Sequence, residues 1–415
     1  LWDKNFSFRS VVIDFSATDV YSLSMNQAPV VRPLAGRGER EEFKRIAKYC
    51  FADPVGWSDR IFPLERGDEA WGVFRGRTLQ SGLVTREYVA RLFGGWHRLS
   101  GISLVETPPE FRNNRNISSL FDRVLKKERE SGKLFSALYP FSFEYYARYG
   151  YGLLGGPLFA SFAPENIALE KPPAGEYAAY TGARAQLTDY HTVYETWVAS
   201  HSFGIRPRRS SAHFNDHLAW SQDRIVLYYE GKTCGGFVRL HKKIYDNVPS
   251  DLEIRKIAWR DERAFRALMY LLQTHRNQIK EVKWYMPAAV PIASVMRNPR
   301  IGLQRLSDWM ARPLDLPALC RLKAEERPAK NDIVFAVEDE LLPQNTGTYR
   351  IRGRTVAKEK FRPELAVPLP LFSSMFFGCL SPADARLAGR LPPGTLEGAD
   401  GFFTADPSIF VSEFF

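Results

Sequence analysis

The chain has 415 residues, 45% of them hydrophobic and 25% charged, and a net charge of +10. This is a globular composition too long for one core, so two or three domains are expected. The longest apolar runs, such as Leu369 to Leu380, are broken by Pro, Gly or Ser and fall short of a span of roughly 20 residues, and no basic segment followed by a short apolar core opens the chain. A soluble, cytoplasmic protein with no membrane partner is therefore expected. The four cysteines, Cys50, Cys234, Cys320 and Cys379, are far apart and form no metal-ligand spacing, which fits reduced thiols. The positive charge implies long-range attraction to anions rather than any particular fold.

Residues 1–27 lack periodicity and read as an extension, with Val30 to Pro33 opening the first strand. Phe43, Ile46, Ala47 and Cys50 fall at helical spacing, which predicts an amphipathic helix over Glu39 to Phe51. Strands are predicted at Trp71 to Phe74, Leu79 to Thr85 and Gly101 to Val105. A Pro-Pro turn, a basic loop with Arg112 and Arg115, a helix carrying Leu120, Phe121, Val124 and Leu125 on one side, and a strand at Leu134 to Tyr139 follow. The order is that of an α+β or α/β sandwich, and no G-x-G-x-x-G follows the first strand.

After a Gly- and Pro-broken stretch from Gly155 to Pro173, a second α/β unit is predicted. It holds an aromatic-rich helix near Tyr190 to Ser200, a hairpin at Arg224 to Lys243, a strand at Leu252 to Trp259, a helix through Phe265, Leu268, Met269 and Leu272, and a strand at Glu281 to Met286. A third begins near Leu306, with strands at Ile333 to Val337 and Thr348 to Arg352, and with Ser381 and Pro382 as N-cap and first residue of a helix. Its tail is aromatic, with Phe402, Phe403, Phe410, Phe414 and Phe415.

Leu104 to Gly152 concentrates the chemistry. A strand end, a basic loop and a helix N-terminus make an anion site, because the first helical turn leaves N–H groups unpaired and a positive dipole end facing the loop; a solvated basic turn is the alternative. Tyr145, Tyr146, Tyr149 and Tyr151 then gather around Gly150, either as core aromatics or with one of them reactive. Elsewhere, His213 and His217 lie four apart without a third ligand, so zinc is not expected. Arg206, Arg208 and Arg209 occupy a Ser/Arg/Pro-rich loop that either borders a cleft or is solvated. A nucleic-acid partner is not expected, since no basic stripe interleaved with aromatics is present.

The segment VETPPEFRNNRNISSLF resembles the acetyl-coenzyme A loop of the GNAT acetyltransferases, and LYPFSFEYYARYGYG resembles the signature that follows it in the Eis (enhanced intracellular survival) branch. WMARPLDLPALCRL, DELLPQNTGTYRI and GCLSPADARLAGRL resemble that branch's third domain, which is similar to sterol carrier proteins. The resemblance implies an α/β (α+β) chain of two GNAT-like domains and a sterol-carrier-protein-like domain: an extension to residue 27, then 28–157 with the acetyl-CoA site, 158–300 without a coenzyme loop, and 301–415.

It further implies an N-acetyltransferase whose cosubstrate is acetyl-CoA and whose acceptor is a small-molecule or peptide primary amine, aminoglycoside- or lysine-like. Val105 and Thr107 would offer backbone groups to the pantetheine, and Arg112, Asn113, Arg115 and Asn116 would surround the pyrophosphate. Tyr146 would be the general acid and the terminal carboxylate of Phe415 the base. A homo-oligomer, often a hexamer in this branch, is implied as well. Arg115 stands where the family pattern has its first glycine, and Ile117 replaces a small residue. That departure leaves a second expectation, a catalytically weak or inactive GNAT-fold binding or scaffold protein for a hydrophobic ligand.

Overall fold

The computed structural model describes residues 28–52, 56–171, 174–207, 222–245, 248–306, 309–406 and 408–411. The expected N-terminal extension, His213, His217, Arg208, Arg209, Phe414 and Phe415 lie outside them. The chain divides into two compact units. Leu1–Leu64, Glu69–Val84 and Leu104–Val124 form the first; Glu65–Asp68, Thr85–Ser103 and Leu125–Phe415 form the second.

In the first unit, β1 (Val30–Pro33) leads into helix α1 (Gly36–Cys50) and then β2 (Glu69–Arg75), which pairs antiparallel with β1. The helix starts where Glu39 closes its first turn. That carboxylate accepts from the Ala35 N–H at 2.6 Å and from both terminal nitrogens of Arg32, at 2.7 and 2.8 Å. Phe43, Ile46 and Ala47 face inward as their spacing requires, and pack with Ala70, Phe74, Leu79 and Val84. β3 (Thr78–Leu92) and β4 (Gly95–Glu106) belong to both units, divided after Val84 and Ser103, and helix α2 (Asn116–Glu130) is divided after Val124.

The second unit continues with β5 (Phe135–Leu138), the short helix α3 (Phe143–Ala147), β6 (Gly152–Leu153), β7 (Leu158–Phe162) and β8 (Glu176–Ala179). Then come α4 (Arg184–Ala199), β9 (Phe203–Pro207), β10 (Arg224–Glu230), β11 (Thr233–Tyr245), β12 (Val248–Trp259), α5 (Glu262–Gln273) and β13 (Ile279–Met286). The remainder is β14 (Gly302–Arg305), β15 (Met310–Pro313), α6 (Leu316–Glu326), β16 (Ala329–Val337), β17 (Gly347–Gly353), β18 (Thr355–Glu359), α7 (Leu369–Phe376), α8 (Pro382–Leu387) and β19 (Ile409–Phe410).

Its sheets run β19-β9-β3-β4-β5-β15-β6, β14-β7-β13-β12-β11-β10-β8 and β16-β17-β18. Two βαβ crossovers stand out: β4 and β5 are parallel, as are β12 and β13. Helix α8 carries the expected cap as a full box, with Ser381 Oγ accepting from Asp384 N at 3.1 Å and Asp384 Oδ2 accepting from Ser381 N at 2.8 Å. Phe402, Phe403 and Phe410 of the tail are buried.

Candidate functional site

The basic loop lies in the first unit. Pro109–Phe111 forms one 3-10 turn anchored by the buried Phe111, after which Arg112, Asn113, Asn114 and Arg115 are exposed. Asn113 and Arg115 have φ of 65° and 56°, and Leu104 in β4 has 52°. Arg115 thus adopts, at a cost of about 1 kcal/mol, the left-handed backbone that glycine would take freely. No acidic residue occupies the first turn of α2, so its N–H groups and dipole face a loop of exposed cationic and amide side chains. This donor set fits a phosphate.

Not every candidate is equally free to serve. The Thr107 carbonyl accepts from Arg112 Nε at 3.2 Å, and its hydroxyl lies 2.9 Å from Ser81 Oγ. Asn116 is buried, its amide nitrogen 3.5 Å from both Gln80 Oε1 and the Phe111 carbonyl. Its side chain therefore ties the loop to β3.

Between Val105 and Thr107 sits a residue that sequence reasoning missed. Glu106 is 2% exposed, and neither of its carboxyl oxygens meets a hydrogen-bond donor among the described residues. Desolvation pushes its pKa up to about 9. Burial, and then the Glu106 carboxyl, also push the Cys50 thiol up. A strand ending in V-E-T gives no periodic signal that its glutamate faces inward.

The tyrosine cluster belongs to the second unit. Ser142 caps α3 by accepting from the Tyr145 N–H at 3.3 Å. Tyr146, 3% exposed, lies edge-on to Phe141 and Tyr145 with ring centroids 5.3 Å away, and 6.3 Å from Tyr151. Burial first, and then the neighbouring tyrosines, raise its pKa, so the hydroxyl keeps its proton. Tyr151 behaves as a core aromatic: its hydroxyl shares a 2.7 Å bond with Ser136 Oγ, which donates to the Ser100 carbonyl at 2.9 Å.

The glycines of Y-G-Y-G are demanded by close packing. A Cβ on Gly152 would come within 2.0 Å of the Pro370 carbonyl oxygen, and one on Gly150, whose φ is 80°, within 2.5 Å of Leu369. Ser373 Oγ donates to the Gly150 carbonyl at 3.0 Å, and Ser374 Oγ accepts from Leu153 N at 2.8 Å. Arg312, fully buried, donates to the Tyr149 carbonyl and pairs with Asp339, whose carboxylate is also held by Asn345 and the Leu342 N–H. The turn after Tyr146 is thereby clamped by residues from beyond position 310.

Also within the second unit, a cleft of about 460 Å³ opens where β5 ends. Tyr139 and Trp309, with centroids 5.6 Å apart, form one wall, and β12 and β13 another. Phe410 and Val411, the last described residues, line it too, because β19 is held on β9 in parallel register. Arg206 does not line this cleft; it pairs with Glu195 at 3.1 Å.

An acetyltransferase (GNAT) domain model matches residues 31–154, a second acetyltransferase (GNAT) domain model residues 206–313, and a sterol carrier protein domain model residues 318–411. Comparison with curated proteins finds no match. Among solved structures, Eis1 from Mycobacterium abscessus is 18% identical, with 93% of this chain and 100% of that chain covered and a TM-score of 0.77. A GCN5-related N-acetyltransferase from Anabaena variabilis is 17% identical, with 94% and 100% covered and a TM-score of 0.78. A conserved protein of unknown function from Enterococcus faecalis, a probable N-acyltransferase, is 19% identical, with 94% and 100% covered and a TM-score of 0.76. At such identities the likeness is one of fold: two GNAT domains and a sterol-carrier-protein-like domain in a mixed α/β chain.

Proposed function

We propose that this chain, which carries two acetyltransferase (GNAT) domains and is similar in fold to Eis1, moves the acetyl group of acetyl-CoA directly onto a primary amine, of the class that includes aminoglycosides and lysine side chains. GNAT domains use acetyl-CoA; in this reading the loop from Thr107 to Asn116 holds the coenzyme phosphates, with Arg112 and Arg115 supplying charge and α2 its N-terminus. Val105 and Thr107 flank the pantetheine, which requires Arg112 to leave the Thr107 carbonyl.

The observation that carries the reading is Tyr146, a buried hydroxyl that burial keeps protonated. The amine nitrogen bonds to the thioester carbon, the C–S bond breaks, and the departing sulfur takes its proton from Tyr146. The proton released by the amine goes to a base, for which the carboxylate of Phe415 is proposed by resemblance. The active form in this reading is a homo-oligomer, a hexamer by resemblance, working in the cytoplasm.

An amine panel with acetyl-CoA, read by thiol release, tests it. Tyr146→Phe is expected to lower kcat by roughly 10²- to 10⁴-fold while coenzyme affinity holds, and one residue appended after Phe415 is expected to lower turnover as well. Undiminished turnover in both would remove the acid and the base together. Light scattering of the purified protein checks the oligomer.

A further inference from the structure

The segment that leads into the helix of Tyr146 is apolar on its outside. Between the end of β5 and the first turn of α3 the chain reads L-Y-P-F-S-F, and its three rings are exposed: Tyr139 by 47%, Phe141 by 71% and Phe143 by 45%. Single exposed apolar side chains are ordinary on a protein surface, whereas three within a few residues form a patch that calls for an occupant. The residues between them are committed elsewhere. Pro140 is buried, and Ser142 caps α3 by accepting from the Tyr145 N–H.

The patch adjoins Tyr146 through Phe141. Among the rings that meet Tyr146, Tyr151 is fully buried and Tyr145 is half-buried, with centroids 6.3 and 5.3 Å away. The ring of Phe141 also lies 5.3 Å from Tyr146 and 5.1 Å from Tyr145, and it is the exposed one of the three. Phe141 therefore forms the solvent side of this contact.

In acetyl transfer the departing sulfur comes within hydrogen-bond reach of the Tyr146 hydroxyl, and the amine nitrogen bonds to the carbon that this sulfur leaves. Whatever the amine carries then starts a few bond lengths from Tyr146, beside Phe141. An exposed phenyl ring offers an amine two attractions: burial of the hydrocarbon next to the nitrogen, and a negative face toward the ammonium as it approaches. A lysine side chain, a run of methylenes ending in an ammonium, answers both. Resting on the acetyl-transfer reading above, we infer that Phe141 is a specificity-determining residue for the acceptor and selects amines with an alkyl stem next to the nitrogen, as in the lysine side chain.

Steady-state thiol release by the full chain at saturating acetyl-CoA, with ethylamine, butylamine, hexylamine and Nα-acetyl-lysine amide as acceptors, tests this. In the wild-type chain kcat/KM is expected to rise roughly threefold per methylene. Phe141→Ser is expected to flatten that rise and to raise KM for Nα-acetyl-lysine amide roughly tenfold, with the loss falling on KM rather than kcat, and Phe141→Trp to restore both. An unchanged dependence on chain length in Phe141→Ser would overturn the inference. So would a fall in kcat equal for all amines, which would make Phe141 a support for Tyr146, or a changed oligomeric state by light scattering, which would make the patch an interface between copies. If no amine releases thiol, the acetyl-transfer reading fails, and calorimetric binding of the same amines decides the role of Phe141 separately. Weaker binding in Phe141→Ser then upholds it, and equal binding overturns it.

Discussion

The chain makes the same crossing twice, and the two copies differ in the turn that leads into the helix. In the β4–α2–β5 crossing the parallel ladder runs from Leu99–Phe135 to Ile102–Leu138 and stops before β4 ends at Glu106. In the β12–α5–β13 crossing it runs from Ser250–Ile279 to Ile254–Trp284 and stops before β12 ends at Trp259. Both strands therefore continue past the partner they pair with. The turns that follow are unlike. Thr107 to Arg115 separates β4 from α2, with two left-handed residues and exposed Arg112 and Arg115. Only Arg260 and Asp261 separate β12 from α5, and the Asp261 carboxylate accepts from the N–H groups of Arg263 and Ala264, both at 2.9 Å. The donors that a phosphate would use are taken by the protein's own anion. One carboxylate at a helix N-terminus thus distinguishes the second crossing from the one proposed to hold coenzyme.

The sharpest way to break this contrast is to reverse charge in the first loop. Arg112→Glu/Arg115→Glu removes two charge-assisted contacts of about 1.5–3 kcal/mol each, so acetyl-CoA affinity is expected to fall by roughly 100-fold or more. Calorimetry checks it, and an unchanged affinity would place the coenzyme elsewhere.

Glu106 sharpens the comparison from the strand side, since β12 ends in Trp259 instead. Its folded pKa of about 9 lies above the ordinary 4.5, so the folded state keeps a proton that the unfolded chain loses. The associated stability is complete below about pH 4.5 and declines as the pH rises toward 9. At pH 7 the burden is on the order of 3 kcal/mol. Glu106→Gln is expected to raise the melting temperature at pH 8 and to leave it nearly unchanged at pH 4; the same shift at both values would show that the carboxyl is not the cause.

The smallest effect belongs to the capped crossing. Asp261→Ala is expected to cost about 1 kcal/mol through the lost cap without adding a coenzyme site, measured by thermal unfolding and by titration.

Much of this contrast is legible in the residues themselves. The i, i+3, i+4 spacing of Phe43, Ile46 and Ala47 and of Phe121, Val124 and Leu125 marks helices whose buried faces the structure shows. Ser381 with Asp384 is a local signal, and so is Asp261 ahead of Glu262, although only its hydrogen bonds explain why the second loop has no room for phosphate. The first half of β4, from Gly95 to Ser100, and β3 beyond Thr85 break the alternation that flags strands, because their pairing partners, not their own pattern, hold them in place. The isolation of Glu106, the clamp of Arg312 and Asp339 on the glycine turn, and the cleft at the end of β5 depend on residues far apart in the chain. No spacing rule reaches across such distances.

The central claim, that one crossing binds acetyl-CoA and the other cannot, is tested most directly by titrating acetyl-CoA into the full chain and counting sites. One site per chain is predicted, retained in Asp261→Ala and lost in Arg112→Glu/Arg115→Glu. Two sites, none in the wild-type chain, or one that survives the double reversal would contradict it.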